Sequence, residues 1–96
     1  MLLLVRFKIF GHSMEPQIKT GETVLVSNIP YWFKMPKIRD IVAFKDSTGK
    51  VLIKRISKIQ KGKYSVEGDN KKDSLDSRRL GLISKNQIIG EIIYKL

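Results

Sequence analysis

The sequence predicts an all-β fold, a rolled antiparallel sheet or small β-barrel. Three observations predict it. Apolar residues recur with a period of two along most of the chain, turn signals separate the alternating runs, and no segment sustains a helical period. Leu3, Val5, Phe7 and Ile9 alternate with Leu4, Arg6, Lys8 and Phe10, which reads as a first strand. Thr23 to Ile29, Ile41 to Lys45, Val51 to Gln60, Tyr64 to Glu67 and Gln87 to Lys95 read as five more. The turns are Lys19-Thr20-Gly21, Asp46-Ser47-Thr48-Gly49, Lys61-Gly62 and Gly68-Asp69-Asn70. Those at Gly49 and at Lys61-Gly62 predict hairpins. Only Ser13 to Ile18 could begin a helix, and Pro16 restricts it to about a turn.

Length and composition narrow the function classes. The 96 residues allow one domain, taken as spanning 1–96. A hydrophobic content of 42% is too high for intrinsic disorder. Cysteine is absent, which excludes a disulfide framework, a thiolate nucleophile and a Cys-based zinc site. The lone histidine, His12, leaves no His cluster for a metal, so neither a metal nor a cofactor is expected. No apolar run approaches the roughly 20 residues that a membrane-spanning helix needs. Arg6 and Lys8 interrupt the apolar N-terminus, and no small-residue cleavage site follows as in a secretory signal. The net charge of +10 favours a polyanion, either nucleic acid or anionic lipid. Charge alone does not choose between them.

The available nucleophiles are Ser and Thr, served by His12, a carboxylate or a lysine as base. His12 adjoins Ser13, but on a strand the two would point to opposite faces. Lysine is the stronger candidate. An ordinary ammonium, with a pKa of about 10.4, cannot take a proton at neutral pH, whereas desolvation favours the neutral amine. Among the fourteen lysines, Lys54 is flanked at i−2 and i+2 by Leu52 and Ile56. The opposite phase carries Val51, Ile53 and Ile59, so periodicity leaves open whether Lys54 faces the core or solvent. Two further segments stand out. Pro30 to Pro36 holds Tyr31-Trp32-Phe33 between prolines, and Gly68 to Gly81 is a long polar stretch of a kind that is often functional.

Taken together, these residues resemble the type I signal peptidases, which are serine–lysine endopeptidases. Gly11-His12-Ser13-Met14-Glu15-Pro16, Ile53-Lys54-Arg55-Ile56, and Gly68-Asp69-Asn70 followed by Ser74, Asp76-Ser77-Arg78 and Gly81 are similar to that family's catalytic boxes, in order. Pro36 to Phe44 resembles its intermediate box. The resemblance implies a fold of the signal-peptidase catalytic-core type, with Ser13 as nucleophile and Lys54 as neutral general base. It also implies that Ser74 orients the lysine, that Asp76 and Arg78 brace the loop beneath the site, and that Met14 packs under the substrate cleft. Gly11 stands where many members have a serine that assists the oxyanion hole. Stabilisation would then rest on backbone N–H groups, including that of Ser13. Arg39 replaces the glycine usual before Asp40, and Glu22 a more common Asp.

The implied partner is an extended leader or signal peptide, bound as an added strand and bearing small residues near the cut. Only thirteen residues separate Lys54 from Gly68, so the second β-domain of many members does not fit between them. A minimal catalytic core is expected, without the usual N-terminal transmembrane helices. Such a chain would reach the membrane peripherally or through a partner. Tyr31, Trp32 and Phe33 beside Lys34 and Lys37 form either an interfacial anchor or a lid on the sheet. If the enzyme instead matures one dedicated precursor, such as a nickel-type superoxide dismutase, it would be cytoplasmic. Three other readings compete. A basic nucleic-acid-binding β-barrel explains the charge but not the polar loop, and no nucleic acid is expected. A self-cleaving repressor lacks room upstream of Ser13, and a catalytically dead peptide-binding relative would retain the fold alone.

Overall fold

A computed structural model describes residues 4–70 and 81–96. Seven strands form one curled antiparallel sheet: β1 (Leu4–Lys8), β2 (Thr23–Ser27), β3 (Ile41–Lys45), β4 (Val51–Gln60), β5 (Lys63–Glu67), β6 (Ile83–Ser84) and β7 (Ile88–Lys95). Their spatial order is β1-β2-β7-β3-β4-β5-β6. The all-β expectation therefore holds, as do both hairpins. The β3–β4 turn closes on Asp46, whose Oδ1 accepts from the Thr48 and Lys50 amides and the Thr48 hydroxyl. Lys61 and Gly62 both have positive φ, the signature of a two-residue turn whose twist matches its strands.

The centre of the sheet is buried on both faces. Val42, Ala43 and Phe44 are fully buried in succession on β3. Ala43 joins a first cluster with Ile9, Met14, Ile18, Val24 and Val26. Val42 and Phe44 join a second with Ile56, Tyr64, Val66 and Ile83. Register shifts at Leu25/Val26, Ala43/Phe44 and Ile56/Lys58 interrupt three of the strand pairs. Bulges of this kind sharpen local twist, and they curl the sheet here. At Gly90 the β7 backbone passes so close to β2 that a Cβ would lie 2.5 Å from the Ser27 carbonyl oxygen.

Several boundaries differ from expectation. The first strand ends at Lys8 and the second at Ser27. Beyond Ser27, its hydroxyl accepts from the Ile29 amide, and the chain turns into a short helix, α1 (Pro30–Phe33), which the sequence reading missed. Ser13 to Ile18 forms a turn closed by the Ile18 amide on the Met14 carbonyl, with a cis peptide at Glu15–Pro16. A two-residue β6 and a 3-10 turn (Lys85–Gln87) precede β7, and neither has enough residues to show a period.

Candidate active site

Ser13 and Lys54 line one cleft of about 290 Å³. Its two walls are strand edges. One is the end of β1 with Ile9 and Phe10, and the other is Lys50 to Lys54 at the start of β4. β4 pairs with β3 over Val51–Arg55, but with β5 only from Arg55 onward. Among the described residues, no strand pairs with the second edge of β4 at Val51–Ile53, and β1 ends the sheet on its own side.

Lys54 is 4% exposed, which settles the question that periodicity left open: it lies inside, not in solvent. Its phase partners Leu52 and Ile56 belong to the second apolar cluster, while Val51 and Ile53 pack on the first. Met14, next to the serine, is 2% exposed and belongs at once to the cleft wall and to the core.

The next residue along β4 anchors the polar segment. Arg55 donates from Nε and Nη2 to the two carboxylate oxygens of Asp69, each at 2.8 Å, and from Nη1 to the Arg39 carbonyl at 2.9 Å. Paired bonds of this kind are strong and directional. They hold Asn70 against the serine turn. The Asn70 amide donates to the Ser13 carbonyl at 2.8 Å, and its Nδ2 donates to the His12 carbonyl at 3.0 Å. Both carbonyls flanking Ser13 are thereby fixed. Because a peptide unit is planar and trans, fixing the His12 carbonyl also fixes the direction of the Ser13 N–H. The sequence reading quoted Asn70 within a motif but assigned it no task. The motif was the only signal for it, since a side-chain bond spanning 58 positions leaves no periodicity.

The remaining expected residues are distributed as follows. Gly11 is exposed with φ +97°, and its amide donates to Thr20 Oγ1 at 3.1 Å. His12 and Ser13 lie on a turn, so the strand-face argument that separated them does not apply. The exposed His12 ring meets the Glu15 carboxylate at 2.9 Å, and that bond holds Glu15 below the usual carboxylate range. Ser74, Asp76 and Arg78 lie outside the described residues. Tyr31 is turned inward, donating to Asp40 at 2.8 Å and packing on the second cluster, and burial pushes its phenol pKa up. Trp32 and Phe33 point outward, so the aromatic triplet divides between lid and exposed patch. Among the described residues, no group of three His, Cys, Asp or Glu side chains could hold a metal, and no helix is long and apolar enough to cross a membrane.

The sequence profile described as "Signal peptidase, peptidase S26" matches residues 1–59 and 56–96. The chain belongs to the S26 signal peptidase family. The profile breaks into its two segments on β4, between Lys54 and the Gly68-Asp69-Asn70 box. Among S26 relatives, signal peptidase I V of Bacillus subtilis (strain 168) is 28% identical over 141 residues, covering 94% of this chain and 84% of the relative. That alignment is longer than the chain itself, so the relative carries inserted residues here. Signal peptidase I of Bacillus amyloliquefaciens is 38% identical over 80 residues, covering 75% of this chain. Signal peptidase IB of Staphylococcus aureus (strain N315) is 51% identical over 37 residues, covering 38%. The matched regions make up 42% and 19% of those two relatives.

Proposed function

We propose that this S26 member is a serine endopeptidase that removes N-terminal signal or leader peptides with a Ser13–Lys54 dyad. The observation that carries this reading is the near-complete burial of Lys54 in the wall of the cleft that Ser13 also lines. Burial disfavours the ammonium form, and a neutral amine is what a general base requires. Ser13 Oγ attacks the scissile carbonyl carbon as its proton passes to Lys54 Nζ. The developing oxyanion accepts from the Ser13 N–H, in the orientation imposed by Asn70. As the tetrahedral intermediate collapses, Lys54 returns the proton to the leaving amine. Water then gives a proton to Lys54 as its oxygen attacks the acyl carbon, and Lys54 passes that proton to Ser13 Oγ as the ester bond breaks and the free acid leaves.

Among the described residues no strand pairs with the outer edge of β1 or with the second edge of β4 at Val51–Ile53, which supports binding of the substrate as an added strand. Peripheral membrane contact fits the same chemistry. Trp32, Phe33, Met35 and Ile38 are exposed beside Lys34, Lys37 and Arg39, an aromatic and basic face suited to an anionic bilayer surface. Ser13→Ala and Lys54→Ala should each abolish cleavage of a leader-bearing precursor, with the circular dichroism spectrum of the fold retained. Wild-type cleavage in either variant contradicts the dyad.

A further inference from the structure

We propose that the cleft selects for a carboxylate in its substrate, an Asp or Glu roughly four residues from the scissile bond, received by Lys8 and Lys50. The inference rests on the Ser13–Lys54 reading for the position of that bond. None of the described residues lining the cleft is acidic, and Lys8 and Lys50 are its exposed cations, one on each wall. Lys50 stands four residues before Lys54 along an extended strand, on the order of 13 Å away. Lys8 lines the same cleft from the end of β1, and a turn through Gly11 joins it to Ser13. An extended peptide covers that distance in about four residues.

Neither lysine forms a salt bridge among the described residues. Asp46, nearest Lys50 in sequence, accepts three bonds within its own turn, one of them from the Lys50 amide, and feels the Lys50 charge without a salt bridge to it. Glu15, nearest Lys8 in sequence, meets His12, and Glu22 meets the Lys19 amide and Lys95 Nζ. Between the lysines and the serine the lining is apolar, with Ile9, Phe10, Met14, Val51 and Ile53. A peptide with small or apolar side chains near the cut and a carboxylate further along matches this wall on both counts. A basic residue at that point meets like charge, which lowers its rate of association.

The test uses a fluorescein-labelled alanine-rich leader peptide in which each position up to six residues on either side of the cut is Gln, Glu or Lys in turn. At one position, three to five residues from the cut, Glu should raise kcat/KM about three- to tenfold over Gln, as expected for exposed ion pairs acting together. The advantage should shrink in about 0.5 M NaCl. In Lys8→Gln/Lys50→Gln the Glu-to-Gln ratio should fall to about one, and Lys50→Glu should shift the preference toward the Lys peptide. Equal rates for Glu and Gln at every position, or a ratio that survives the double substitution, overturn the proposal. The same ratio is read as relative Kd by fluorescence anisotropy with Ser13→Ala, which separates the two readings. A Glu preference in binding without any cleavage by the wild type counts against the dyad alone, and cleavage with a ratio of one counts against the subsite alone.

Discussion

At the scale of single residues, Lys54 and Asn70 do different work and were legible to different degrees. Lys54 sits in a strand whose two phases are both apolar, so alternation could not say which way it faces. The curl of the sheet answers this by covering both sides, with Ile53 on one cluster and Ile56 on the other. Arg39 shows the opposite case. Its φ of +82° is a conformation that favours glycine, which accounts for the glycine usual at that place in the family. Asn70 stood in a sequence motif, but its task became visible only through its bonds to the His12 and Ser13 carbonyls. Asn70→Ala and Asn70→Asp should each lower kcat about 10- to 100-fold with KM nearly unchanged, because the oxyanion donor loses its aim. Steady-state kinetics on a leader peptide checks this, and an unchanged kcat in Asn70→Asp removes Asn70 from the mechanism.

At the scale of elements, the long alternating strands and both hairpins were readable because their signals are local. The pairings β2–β7 and β7–β3 were not, since they join residues some 45 to 70 positions apart along the chain. α1 escaped because four residues, from Pro30 to Phe33, cannot display a helical period. Gly90 is the element-scale test. A methyl group there must displace the Ser27–Asn28 backbone where β2 and β7 approach. Gly90→Ala should cost about 1–3 kcal/mol and lower Tm by at least about 4 °C in a thermal melt. A wild-type Tm would show that this approach is not close in solution.

At the scale of the whole molecule, the +10 charge correctly ruled out little and chose nothing by itself. Its distribution says more, with lysines beside the exposed Trp32 and Phe33 and others along the cleft. The chain should sediment with vesicles of phosphatidylglycerol, and Trp32→Ala/Phe33→Ala should weaken that partition about tenfold or more. Equal sedimentation of the two proteins would place the membrane contact elsewhere. Of the polar box from Gly68 to Gly81, strongest of all in sequence, Ser74, Asp76 and Arg78 lie outside the described residues, and the orienting and bracing roles of these three stand on the resemblance.

The most direct test of the buried base is Lys54→Met, assayed for kcat/KM on a leader peptide and for Tm in the same preparation. Methionine keeps much of the side-chain volume and removes the amine. Cleavage should fall about 10²- to 10⁴-fold while Tm holds or rises, as when a buried polar group is exchanged for an apolar one of similar shape. Cleavage within tenfold of wild type, from a protein that melts normally, would mean that another group takes the serine proton.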